Sequence, residues 1–88
     1  MKSFQAEILT PRQVVYSGPA EMLVVKGALG YFGVMAGHAP LLARLAPGKL
    51  KLTRDGKEVI YNSSAGFIHV TAKRASILLD EVKIMSTV

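Results

Sequence analysis

The sequence predicts an all-β domain in which eight to ten short strands form a two-layer antiparallel β-sandwich. Turn-forming residues recur every six to ten positions, at Thr10-Pro11-Arg12, Ser17-Gly18-Pro19, Lys26-Gly27, Gly30, Ala36-Gly37-His38, Ala46-Pro47-Gly48, Asp55-Gly56, Ala65-Gly66 and Lys73-Arg74. That is the spacing of short strands joined by tight connections. Between these positions no segment keeps a 3.6-residue apolar period for the roughly 10–12 residues a helix needs, and β-branched and aromatic residues fill the intervals. The segment from Lys49 to Tyr61 adds an Asp-Gly pair, the preferred two-residue loop of a type I′ hairpin.

Phe4, Ala6 and Ile8 alternate with Gln5 and Glu7, giving a first strand with one apolar face, and its partner is expected at Gln13 to Tyr16. Met22-Leu23-Val24-Val25 and Ile77-Leu78-Leu79 are unbroken apolar runs, which predict strands covered on both faces. The Asp55-Gly56 loop sets Arg54 opposite Lys57, Thr53 opposite Glu58, Leu52 opposite Val59, Lys51 opposite Ile60 and Leu50 opposite Tyr61. Leu50, Leu52, Val59 and Tyr61 then share the core face, while Lys51, Thr53 and Glu58 share the other. Asn62 to Gly66 reads as a turn or bulge. In Phe67-Ile68-His69-Val70 the histidine is in phase with Phe67, which is assigned to the core together with Phe4 and Tyr61.

With 88 residues there is interior enough for one domain, and 50% hydrophobic against 19% charged residues is too apolar for a disordered chain. The absence of cysteine removes disulfides, thiolate metal sites and cysteine nucleophiles. Gln5 and Glu7 interrupt the region where a secretory signal needs an apolar run, and no stretch approaches a membrane span, so any membrane association is expected through a partner. The net charge of +5 raises the alternative of a small β-rich nucleic-acid-binding module. Against it, the eleven Lys and Arg residues are spread singly or in pairs, beside turns and on outward strand positions.

Catalytic chemistry finds no foothold. His38 and His69 are far apart and near no carboxylate cluster, so no metal site is expected. Ser63-Ser64 lacks a base, Asp80 and Glu81 as adjacent strand residues would point to opposite faces, and Gly27-Ala28-Leu29-Gly30 opens no helix and precedes no Lys-Ser/Thr. No cofactor and no catalytic residue is expected. The informative stretch runs from Lys26 to Leu42, where glycines alternate with large apolar side chains and Pro40 holds Ala39 extended. Leu29, Tyr31 and Phe32 cannot all reach the core from a tight loop, which makes them either a docking surface or a small loop core.

In this stretch the sequence resembles the epsilon subunit of F-type ATP synthases (delta in mitochondria). The resemblance rests on Gly30-Tyr31-Phe32-Gly33-Val34 and Gly37-His38-Ala39-Pro40-Leu41-Leu42, with support from Ile8-Leu9-Thr10-Pro11, Val15-Tyr16-Ser17-Gly18, Leu45-Ala46-Pro47-Gly48, Ala65 to Val70 and Ile77 to Asp80. It implies a sandwich of about ten strands over residues 1–84, a short tail at 85–88, and a non-catalytic rotor role coupling proton or sodium translocation to ATP synthesis. It also implies partners, the gamma subunit and the ring of c subunits. Lys26, Gly27, Ala28, Leu29, Gly30, Tyr31 and Phe32 would face the ring, and Thr10, His38, Leu41, Leu42 and Ala43 would face gamma. The expected location is the cytoplasmic face of the bacterial plasma membrane, held there by the complex. The family's ring-facing loop commonly carries acidic residues where Leu29 and Tyr31 stand, so an apolar or hydroxyl-mediated contact is expected. Family members usually continue into a two-helix hairpin; here the chain stops at Val88, and neither an inhibitory insertion nor a nucleotide site is expected.

Overall fold

Side-chain alternation leaves each strand one face for an interior, and the computed structural model, which describes residues 2–87, uses it in ten strands and no helix among those residues. They are β1 (Phe4–Leu9), β2 (Val14–Ala20), β3 (Met22–Gly27), β4 (Gly30–Met35), β5 (Leu41–Leu45), β6 (Gly48–Arg54), β7 (Lys57–Ser63), β8 (Gly66–Val70), β9 (Arg74–Leu79) and β10 (Val82–Thr87). One layer runs β10-β7-β6-β3-β4 and the other β5-β8-β9-β1-β2. A single residue pair, Gly27 with Leu45, and the bond from Ala46 N–H to the Lys26 carbonyl (2.9 Å) carry one layer into the other. All pairings are antiparallel except β1 with β9. Those two strands are distant in sequence, so no hairpin dictates their direction.

The Asp55-Gly56 hairpin has the expected register throughout, with Leu50 opposite Tyr61 and Leu52 opposite Val59. Asp55 (φ 50°) and Gly56 (φ 73°) both take the left-handed conformation that a type I′ loop requires. Ile8, Leu23, Val25, Leu50, Leu52, Ile68 and Ile77 form the centre of the core, with Tyr61 and Val59 beside them.

Four expectations change. Ser17-Gly18-Pro19 is no turn but the middle of β2, where an edge strand tolerates proline; the Tyr16 side chain lies over Gly18 and its hydroxyl bonds to the Pro19 carbonyl. In β9, Ile77 and Leu79 are buried but Leu78 is exposed, because a two-layer sandwich has no third layer to cover its outer side. For the same reason Phe67 and His69 point outward while Ile68 and Val70 fill the core. Finally, β10 continues through Thr87, so Met85 to Thr87 belong to the last strand; Met1 and Val88 lie outside the described residues.

Among the glycines Gly66 leaves the least room for a side chain. It pairs with Leu45 on one side and Leu79 on the other, and a Cβ there would lie 2.0 Å from the Leu78 carbonyl oxygen. Backbone cannot yield as a side-chain tip can. Gly66→Ala is expected to cost about 3 kcal/mol in urea denaturation, and an unchanged midpoint would refute the packing.

Burial holds the Tyr61 phenol above its ordinary pKa, with Arg54 opposing the shift and Tyr16 adding to it. As pH rises past about 10, the unfolded chain loses this proton while the folded chain keeps it, so the unfolded state binds fewer protons and stability falls. The contribution is complete below that pH and disappears as the folded pKa is passed. Tyr61→Phe should therefore flatten the alkaline loss of stability in denaturation series from neutral to about pH 11.

Candidate functional site

The segment expected as one loop, Lys26 to Phe32, is a hairpin whose turn is only Ala28-Leu29. Lys26 and Gly27 end β3, and Gly30, Tyr31 and Phe32 begin β4. Gly30 closes the turn at φ 132°, open to glycine and strained for other residues. The three large apolar side chains divide. Phe32 turns inward over Gly27, where a Cβ would meet its ring at 2.9 Å. Leu29 projects from the tip with 105% relative exposure, and Tyr31 is 54% exposed. Tyr31 is nonetheless held: Lys49 N–H donates to its hydroxyl at 3.4 Å, and Lys26 Nζ lies 5.9 Å from its ring centroid. Gly48 makes room for both, since a Cβ there would lie 2.7 Å from Lys26 Cδ and 3.3 Å from the Tyr31 hydroxyl.

A second surface comes from strand register. Arg44 pairs with Phe67, Phe67 with Leu78, Leu78 with Leu9 and Leu9 with Val14, so one row crosses the whole β5-β8-β9-β1-β2 layer. Phe67 and Leu78 are each 46% exposed. The Arg44 guanidinium lies 5.5 Å from the Phe67 ring centroid and closes one end. Leu9, Arg44, Phe67 and Leu78 of this row, with Thr10, Pro11 and Asp80, line a shallow groove of about 470 Å³. In the adjoining row, Leu42 pairs with His69, His69 with Ser76 and Ser76 with Glu7. Glu7 is engaged, accepting from Ser76 Oγ at 2.7 Å and lying 3.7 Å from Arg74. The row thus leaves Val14, Phe67 and Leu78 exposed on the outer side of this layer, with exposed Leu42 beside it.

The residues expected to face gamma are dispersed. Leu42 projects from the apolar layer, whereas Leu41 and Ala43 turn inward against the core. Thr10 and His38 occupy connections at opposite ends of that layer, since Leu9 pairs with Leu78 beside Gly66 and Leu41 pairs with Val70. Thr10 Oγ1 accepts from the Arg12 and Gln13 amides at 3.3 Å. His38 N–H donates to the Met35 carbonyl at 3.1 Å, and its Nδ1 to Ala39 O at 2.7 Å. Leu9, Val14, Phe67 and Leu78 join the outer face without having been expected there.

Among the described residues no three His, Asp or Glu side chains gather to hold a metal ion. Ser64 Oγ accepts from the Asp80 and Glu81 amides at 3.1 Å, so it ties two turns together. Asp80 and Glu81 lie in the connection after β9 rather than within a strand.

The sequence model of the ATP synthase delta/epsilon chain, β-sandwich domain, matches residues 3–84. The ATP synthase epsilon chain of Chromohalobacter salexigens is 40% identical over 81 residues, which cover 91% of this chain and 57% of that protein. This chain thus spans little more than half of that relative's length. The epsilon chain of Chlorobaculum tepidum is 38% identical, with 92% of this chain and 93% of that one covered. A chain in the cryo-EM structure of the Euglena gracilis mitochondrial ATP synthase, described as OSCP/F1/c-ring, superposes with a TM-score of 0.88 at 26% identity, over 93% of this chain and 53% of that one. The sequence match over residues 3–84 and these relatives agree: the chain belongs to the ATP synthase delta/epsilon family and folds as its β-sandwich domain.

Proposed function

We propose that this chain is a non-catalytic central-stalk subunit of an F-type ATP synthase, joining the gamma subunit to the ring of c subunits so that ion translocation drives ATP synthesis. The observation that carries this reading is the pair of separate docking features on one rigid body: the apolar face of Leu9, Leu42, Phe67 and Leu78, and the Leu29 tip of the β3–β4 hairpin. A coupling element needs two such attachments. The apolar face packs on gamma, where burial of exposed apolar area supplies binding free energy at about 25 cal/mol per Å². The hairpin tip rests on the polar loops of the ring through Leu29 and the Tyr31 hydroxyl. No helix of the described residues is long and apolar enough to cross a membrane, and the partners hold the chain peripherally on the cytoplasmic face of the bacterial plasma membrane.

The two attachments separate in a binding experiment. Phe67→Asp places a charge on the proposed gamma face and should weaken co-migration with a gamma-containing subcomplex by at least about tenfold, while the half-exposed position leaves the fold intact. Undiminished co-migration at roughly micromolar concentration would overturn the gamma assignment.

Leu29→Asp and Tyr31→Asp should retain gamma and lose retention on membranes carrying the c ring. The ring assignment fails if both variants are retained as well as the parent chain. Losing the Tyr31 bond to Lys49 costs about 1 kcal/mol or less, too little to unfold the domain.

A further inference from the structure

The outer face of the β10-β7-β6-β3-β4 layer has a different character. Lys49, Asn62 and Lys83 form one row across the strands, with Lys26 and Tyr31 at its end beside Gly48. Val24, Lys51, Ile60 and Ser86 form the next row, and Met35, Met22, Thr53 and Glu58 the third. Between Val24, Tyr31, Lys49, Lys51 and Ile60 the surface sinks into a largely apolar groove of about 340 Å³. Among the described residues the face carries one side-chain carboxylate, Glu58, and Lys51 holds it at 3.4 Å. The other ion pair among the described residues, Arg74 with Glu7, lies on the opposite layer. Lys26, Lys49 and Lys83 thus have no carboxylate partner among the described residues.

We propose that this face docks an acidic amphipathic helix of a partner protein, its carboxylates on Lys26, Lys49 and Lys83 and its apolar side chains in the groove over Val24 and Ile60. Charge complementarity selects an acidic partner, and the apolar floor selects one with an apolar side. The spacing suits a helix laid across the strands. Neighbouring strands lie about 4.8 Å apart and one helical turn rises about 5.4 Å, so carboxylates one turn apart meet Lys26 and Lys49 on adjacent strands, and a third, two turns further on, meets Lys83 beyond Asn62. A lipid surface would meet the lysines but leave the groove unfilled. A nucleic-acid strand would need open aromatic faces, and the Tyr31 ring already has Lys26 against it. The surface lies on the layer opposite the proposed gamma face but shares Lys26 and Tyr31 with the hairpin proposed to meet the ring, so its test uses Lys49 and Lys83, which lie outside that hairpin.

The test is a titration of the isotopically labelled chain with a synthetic helical peptide of about four turns, carrying Glu one turn apart on one side and Leu on the adjoining side. Amide shifts should appear around Val24, Tyr31, Lys49 and Ile60. Lys49→Glu with Lys83→Glu, both exposed positions, should weaken binding about tenfold, and Lys73→Glu on the far layer should leave it unchanged. The affinity should fall with added salt. The proposal is overturned by the absence of shifts at low salt, by shifts confined to the Phe67 and Leu78 face, or by equal binding of a scrambled peptide. Tighter binding to phosphatidylglycerol vesicles or to a single-stranded oligonucleotide would overturn it as well, in favour of a membrane or a nucleic acid.

Discussion

The constraint on which the structure depends is that two layers enclose one interior. Each strand gives that interior alternate residues, and nothing covers the other set. In β6 and β7 the uncovered set is largely polar: Lys49, Lys51, Thr53, Glu58 and Asn62. In β5, β8, β9 and β1 it contains Leu42, Phe67, Leu78 and Leu9. The apolar content of those strands exceeds what the core can accept. An unbroken run such as Ile77-Leu78-Leu79 therefore signals an outside surface as much as an inside one.

The closure of the two layers rests on glycine. Gly27 pairs with both Gly30 and Leu45, and a side chain there would strike Phe32. Gly66 lets β8 approach β9 so closely that any Cβ would overlap the Leu78 carbonyl. Gly48 gives Lys26 and Tyr31 the space to lie against each other. Three glycines in different strands thus set the corner of the sandwich, the spacing beneath the apolar face and the shape of the hairpin base. Their role is close approach rather than flexibility.

What the sequence made legible follows from how local the determinant is. Asp55-Gly56 demands two positive φ angles at adjacent positions, and that local demand fixes the pairing of every residue from Arg54 and Lys57 outward. Phe67 was beyond such reasoning. In Phe67-Ile68-His69-Val70 both phases contain an apolar residue, and the large ring favours the wrong one; the phase is decided by Gly66 pairing with Leu45 and Leu79, contacts with neighbouring strands that the segment's own pattern does not carry. Ser17-Gly18-Pro19 has turn composition, yet its position on the edge strand β2 and the overlying Tyr16 keep it extended. The exposed apolar residues were half legible for the same reason. Leu29 stands at the tip of a local hairpin, whereas the pair Leu9 and Val14 meets the pair Phe67 and Leu78 only through β1 and β9, which are distant in sequence.

The hairpin tip is held in place without being buried. A lone exposed leucine on a flexible loop would lose conformational freedom on docking, which offsets much of what its burial contributes. Here the turn has only two residues, Ala28 and Leu29, between paired glycines. Below it, Tyr31 is fixed by the Lys49 amide and the Lys26 ammonium, and Phe32 anchors the strand to the core. The tip is therefore ordered before any partner arrives. The same arrangement carries no carboxylate from Lys26 to Phe32, so what it presents is an apolar side chain, a hydroxyl and positive charge. A partner surface that fits it offers an apolar hollow and hydrogen-bond acceptors, and one carrying a cation at that point would be disfavoured by repulsion from Lys26 and Lys49.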